Sequence, residues 1–340
     1  MSNMHKCFAS DSNVESSHLQ SVESLQPVSR TSPQVPLKTT QEILPYIEDI
    51  SVILAFNKTI SELSVDIGRE LANKLFSLCD ANPEVWSSNL EEYIDGVLDN
   101  NGKKYEIAAL EISDEPFQIY CKKVLLDFYY VFDRNPYTSL KIINKKFVIC
   151  RISSIFKYYE ATFPYLKFEW MEVYAHSANS DIVKLNSKAT RYSDGLDLWH
   201  MDVARGSSNM TDVHTIEDKA LRTDVLNLVR VLRDHTDCDI TLATKIKVFR
   251  TQVIDDQMIL YSLNMLPDGR YLLAELAKAS IPFTFRDRHQ YKAILRMMAI
   301  FHDEIEKQEE LMEEINKSAL RSEAGTVRHV LKKHENVGTS

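Results

Sequence analysis

The spacing of apolar side chains divides the chain before any other property does. Ile60, Leu63, Ile67, Leu71, Leu75 and Leu78 recur every three or four positions, which places them along one side of an amphipathic helix. "SNLEEYIDGVLDNN" predicts a second, short helix ended by Asn-Asn-Gly. "PFQIYCKKVLLDFYYVFDRN" fits helix or strand equally, up to the break at Asn135-Pro136. A longer helix is expected over about 138–161. The period then shortens to two. "KFEWMEVYAH" alternates and reads as a strand over 167–175, "KATRYSDG" as a second strand ending at Asp194-Gly195, and "LDLWHMDVA" as a third. A helical period returns over 214–234, where Leu221, Val225, Leu228, Val229 and Leu232 make one stripe. "KIKVFRTQVI" and "QMILYSLNML" flank Asp255-Asp256 as a hairpin. "RYLLAELAKASIPF" adds a strand or a turn of helix, and a long helix with a strongly acidic second half closes the pattern. No internal repeat is visible.

This order predicts an α/β (α+β) fold: a mixed sheet flanked by helices, preceded by a helical region and followed by a long C-terminal helix. The expected organisation is a mainly helical region at 41–135, an α/β core at 136–288, a C-terminal helix at 289–320 and a loose tail at 321–340. Residues 1–40 are rich in Ser, Gln, Pro and Thr. They lack the apolar surface to offset ordering entropy and are expected to be disordered.

Composition narrows the partners. At 44% hydrophobic, the 340 residues can bury a sizeable core. With 40 basic and 49 acidic side chains the net charge is −9, which argues against broad electrostatic binding of nucleic acid. The best local basic cluster is "KIINKK", 141–146, with Arg151. It could touch phosphates, and otherwise it is an exposed helix face. Cys7, Cys79, Cys121, Cys150 and Cys238 form no CxxC pair, so neither a zinc site nor a disulfide framework is expected, and the thiols read as reduced and intracellular. No apolar run approaches the ~20 residues that cross a bilayer, and no secretory signal is visible. The expectation is a soluble intracellular protein without membrane contact, with cytoplasm and nucleus both open. The acidic run "HDEIEKQEELMEEI" is expected to be a solvated face, with Glu304–Gln308 and a repulsive Glu306–Glu310 as neighbours one turn apart. A partner protein bound through this helix is the alternative.

The chemistry is concentrated in one strand. Alternation in "LWHMDVA" puts Trp199, Met201 and Val203 on a core face and Leu198, His200, Asp202 and Ala204 on the other. If this strand pairs with the preceding one, Asp194 can sit beside Asp202. Two such carboxylates suit Mg²⁺ or Mn²⁺, which would polarise a phosphodiester or activate water. His200 shares that face as a ligand or proton carrier. Against this, Asp-Gly is a common turn pair, and a spacing of eight from Asp194 to Asp202 leaves little room for a hairpin.

The run from "SDG" through "LWHMDVA" and "HTIEDKALRTDVLNLVRVLRD" to "IKVFRTQVIDDQMILYSLNMLPDGRYLLAELAKASIPF" resembles a group of uncharacterised proteins multiplied in mucor-type fungi, over about residues 165–300. That group is similar in turn to the PD-(D/E)xK nucleases, with a restriction-endonuclease-like core. The resemblance implies the order helix, three strands, helix, strand, which suits 138–254. It makes Asp194 the Asp of the first half-motif and Asp202 the acidic residue of (D/E)xK, with Mg²⁺ or Mn²⁺ as cofactor and nucleic acid as substrate. The motif lysine is replaced by Ala204. Lys219 on the following helix is the obvious substitute cation, although its angle from the Leu221 stripe turns it towards solvent. The expected function is therefore a metal-dependent nuclease or its inactive relative. Two other classes compete. His200 and Asp202 with a distant His289 resemble the facial triad of Fe(II)/2-oxoglutarate oxygenases, but that fold needs consecutive strands where a helix follows at 214–234. A non-enzymatic interaction protein needs no chemistry at all. Walker, GxSxG and protein-kinase signatures are absent from the sequence.

Overall fold

Three successive strands form an antiparallel meander: β2 (Leu166–Tyr174), β3 (Lys184–Arg191) and β4 (Asp197–Ala204). The computed structural model describes residues 52–54, 59–80, 82–134, 151–174, 184–204, 210–318 and 326–327. All belong to the unit Thr39–Ser340. The segment 1–40, the "KIINKK" cluster, the first part of the helix expected over 138–161 and most of the tail lie outside the described residues.

After β4 the chain enters α7 (Met210–Asp234), makes one short turn of helix, α8 (Ile240–Ala243), and returns as β5 (Lys247–Ile254), parallel to β4. A parallel neighbour needs such a crossover because its chain must travel back the length of the sheet. β6 (Gln257–Met265) and β7 (Tyr271–Ser280) continue antiparallel. The turn between β5 and β6 is the expected Asp255-Asp256, with Asp255 at φ 53°. A three-residue strand, β1 (Val52–Leu54), lies parallel to β7. The sheet order is β1-β7-β6-β5-β4-β3-β2, a mixed sheet of six long strands and one short edge strand. It is flanked by helices as the sequence predicts.

The helical region contributes α1 (Ile60–Ile67), α2 (Arg69–Asp80), α3 (Ser88–Leu98), α4 (Lys103–Ala109) and α5 (Pro116–Arg134). α6 (Ser153–Glu160) precedes β2, and α9 (Gln290–Lys317) is the long C-terminal helix. The ambiguous "PFQIYC" segment is helix and "RYLLAELAKAS" is strand. The single helix expected over 60–78 is two, because Gly68 takes φ 85° between them. The start of α1 is fixed by Thr59, whose hydroxyl accepts from the Glu62 N–H while the Glu62 carboxylate accepts from the Thr59 N–H. β1 and α4 were not foreseen.

One apolar core runs through the expected boundaries at 135/136 and 288/289. Its buried members extend from Trp86 on the helical side through Trp199 and Phe249 in the sheet to Ile315 in α9. On one sheet face the Trp199 ring lies 4.6 Å from Phe156 of α6 and 5.1 Å from Phe168, and Phe249 meets Phe301 of α9 at 5.7 Å. The opposite face lies under α7, which packs on β4, β5 and β6. The face expected to carry an open site is therefore covered by a helix.

Two corrections concern charge. Arg151 is not part of a surface cluster: it is buried, with its guanidinium 3.8 Å from the Phe132 ring centre. The acidic part of α9 is solvated on one side only: Glu310, Glu313 and Glu314 are exposed. Asp303, Glu304 and Gln308 are buried. Glu304 holds Lys247, and the Gln308 side chain accepts from Lys247 N–H at 2.9 Å and donates to the Lys245 carbonyl at 3.2 Å. The run reads as solvated because its charges outnumber its apolar residues, yet Glu304 pairs with the Lys247 side chain, Gln308 binds the backbone at the start of β5, and Asp303 accepts from the Glu84 N–H.

Two glycines give opposite expectations. Gly96 lies inside α3 and Gly195 takes φ 73° in the β3–β4 turn, each with open space where a Cβ would stand. Gly96→Ala should raise stability by about 0.5–1 kcal/mol through helix propensity, and Gly195→Ala should lower it by about 1 kcal/mol through left-handed strain. Urea unfolding of the pair tests this; shifts of the same sign would contradict it.

Candidate functional site

β4 and β5 each present two polar side chains, spaced by two, to the face under α7. Their parallel register aligns them: His200 opposite Arg250, and Asp202 opposite Gln252. On the other side of β4, Lys188 of β3 is the register partner of His200. α7 lays Asp224 over this array. His200 Nδ1 lies 3.4 Å from Asp224 Oδ1, and His200 Nε2 lies 3.6 Å from Asp202 Oδ2. Arg250 holds the other Asp224 oxygen at 3.2 Å and stacks its guanidinium 4.7 Å from the Tyr261 ring centre. The side chains of His200 and Asp224 are 1% exposed, while that of Asp202 is 15% exposed and forms the side of the cluster nearest solvent. Neither ring nitrogen of His200 and neither oxygen of Asp224 makes a well-formed hydrogen bond.

Burial sets the protonation states. It pushes His200 down to about 3, with Arg250 adding to the effect. It raises Asp202 to about 6 against the opposing pull of Arg250. It raises Asp224 to about 7, opposed by Arg250 and reinforced by Asp202. At neutral pH the imidazole is therefore uncharged between two carboxyl groups.

The structure brings His200 and Asp202 together but not Asp194 and Asp202. Asp194 sits in the β3–β4 turn, where Arg191 Nε reaches both of its oxygens at 3.1 Å and the Leu196 N–H donates to it at 3.0 Å. Asp202 is near the far end of β4, more than about 16 Å along the strand from its start at ~3.3 Å per residue. The pairing explains the failure: antiparallel register places Asn186 of β3, not Asp194, next to Asp202, and Asn186 Oδ1 accepts from the Val203 N–H at 2.8 Å. Ala204 ends β4 opposite Ile254. Lys219 lies on α7, and its side chain is outside the described residues. His289 is no partner of His200: it stands at the start of α9, 56% exposed, 3.9 Å from Asp99.

Asp224, Arg250 and Gln252 were missed, although a signal existed. "VFRTQV" alternates apolar and polar as "LWHMDV" does, and Asp224 falls between apolar positions of the 214–234 helix. Only the βαβ crossover shows that these three segments share one face.

Among the described residues no group of three or more His, Cys, Asp or Glu side chains is disposed to hold a metal ion. None of the described helices is long and apolar enough to cross a membrane. No family model, no curated protein and no solved structure matches the chain. What fold and site define is a mixed α+β protein with a buried imidazole–carboxylate–guanidinium cluster between its sheet and its crossover helix.

Proposed function

We propose that the chain is a PD-(D/E)xK nuclease-like protein that has lost the standard hydrolysis of phosphodiesters. Support for the restriction-endonuclease-like part comes from the order α6, β2, β3, β4, α7, β5, which follows the helix, three strands, helix, strand of that core. The loss rests on one observation: Arg191 engages Asp194 at the opposite end of β4 from Asp202. The residues do not fit the expected two-carboxylate Mg²⁺ or Mn²⁺ site, and Ala204 stands where the motif lysine would activate water. Incubating wild type and Asp202→Asn with plasmid DNA and single-stranded RNA, in Mg²⁺ and in Mn²⁺, tests the reading. Equal, background-level cleavage is expected. Metal-dependent cleavage that disappears in Asp202→Asn would overturn it.

A non-enzymatic interaction role is the second reading. It is favoured by Ile107, Leu110 and Ile112, three large apolar side chains exposed by 63%, 52% and 91% within six residues.

A further inference from the structure

α4 carries apolar side chains on both of its sides. Tyr105 and Ala109 are buried in the core. Ile107 and Leu110, one turn apart, are exposed on the outer side, and Ile112 follows just past the helix, the most exposed of the three. Among the described residues six large apolar side chains are exposed, and these three stand within six positions of one another. A fourth, Tyr130 of α5, borders them: its hydroxyl donates to Glu106, the neighbour of Ile107, at 2.6 Å. Single exposed apolar residues are ordinary, whereas a contiguous group rimmed by charge marks a docking surface.

The charges at the two ends of this group decide what fits it. Lys103 and Lys104 are exposed in the first turn of α4, with Lys103 one turn before Ile107. Glu111, Asp114 and Glu115 are exposed at the other end. None of these five side chains makes an ion pair among the described residues. The other nearby charges are engaged: Glu106 accepts from Tyr130, and Lys122 of α5 donates to the Glu111 carbonyl at 3.4 Å. The strip therefore reads positive, apolar, negative, with Lys103 and Leu110 about 10 Å apart along the axis at ~1.5 Å per residue. A wholly basic or wholly acidic partner meets repulsion at one end of it. A second copy turned about a two-fold axis through the apolar centre presents the reverse order, so that lysines face carboxylates at both ends. That self-complementarity is what an isologous contact requires.

We propose, resting on the interaction reading of this patch, that the outer side of α4 with residues 110–115 docks a second copy of the same chain. Ile107, Leu110 and Ile112 form the centre of a two-fold dimer, and the lysines and carboxylates form its rim. So few apolar side chains make a contact at the low end of specific interfaces, below about 1,200 Å² in total, so the dimer is weak and depends on concentration. The rim charges fix the register and exclude the parallel arrangement.

Sedimentation velocity of the full chain from about 1 μM to about 500 μM tests the proposal. Wild type should pass from monomer to dimer and no further. Ile107→Ser/Ile112→Ser should stay monomeric throughout, while Val65→Ser, at an exposed apolar residue of α1, should dimerise as wild type does. Lys103→Glu/Lys104→Glu alone and Glu111→Lys/Asp114→Lys alone should each dimerise at least tenfold more weakly than wild type. An equimolar mixture of the two should dimerise again, because each rim contact then joins opposite signs. All four positions are exposed, so loss of folding does not imitate this rescue. Carbene footprinting of Ile107, Leu110 and Ile112 separates two failures. Monomeric wild type with these residues labelled at every concentration would overturn the second copy as occupant and leave the interaction role to another partner. Monomeric wild type with them protected at every concentration would overturn both. A mixture that pairs no better than its components would also overturn the two-fold dimer.

Discussion

Trp199→Ala should cost about 4 kcal/mol of stability, within the range for removing a fully buried aromatic side chain. Trp199 is among the largest side chains with no exposed surface, and its ring is packed by Phe156 and Phe168. Its indole N–H also donates to Thr251 Oγ1 at 2.9 Å, across from β4 to β5. Truncation therefore leaves a cavity between the sheet and α6 and loosens the parallel strand pair. Trp199→Phe separates the two contributions. It keeps one ring in the pocket, and it removes the hydrogen bond, worth about 1 kcal/mol, together with part of the indole's packing, so its cost should fall between that value and the loss in the alanine variant. Urea unfolding measures both, and a loss from the alanine variant no larger than that from phenylalanine would show that Trp199 does not organise this face.

The second large effect is electrostatic. In Arg250→Met the Asp224 carboxylate stays buried without its cation, and the expected loss near pH 8 is about 3–5 kcal/mol. Arg250 holds the Asp224 pKa down against burial, so its removal pushes that pKa higher still. A carboxyl group whose folded pKa exceeds its unfolded value keeps a proton that the unfolded chain releases. Stability then falls as pH rises from about 4 through the folded value. The variant should therefore be hurt most at pH 8 and least at pH 5, where Asp224 is protonated. Wild type shows a weaker balance: Asp202 and Asp224 lower stability as pH rises towards about 6 and 7, while His200, held near 3, lowers it as pH falls below about 6.5. Arg250→Met/Asp224→Leu should recover most of the loss at pH 8. Equal losses at pH 5 and pH 8, or a double variant no better than the single one, would sink this account.

Helical and strand periods made α3, α7, β2, β4, β5, β6 and α9 legible, because apolar spacing is a local property of the chain. The same periods misled where one residue interrupts them. Gly68 breaks a stripe that is continuous in sequence, because its φ of 85° redirects the backbone without changing the apolar spacing. The phase of β4 was legible down to single residues: Trp199, Met201 and Val203 are core, and His200 and Asp202 share the other face. What that face meets was not. The sequence suggested solvent and a partner Asp194, while folding supplied α7, Asp224 and Arg250.

Sequence alone determined which residues of each segment point the same way, since side-chain direction follows from backbone period within a few residues. Tertiary structure alone decided which segments face one another. Antiparallel register sent Asp194 and Asp202 to opposite ends of β4, and the parallel return of β5 aligned Arg250 with His200. Register is set by pairing between segments far apart in the chain, and a shift of one residue exchanges the faces. That is why the acidic pair suggested by proximity in sequence dissolved, and a histidine held between two carboxylates took its place.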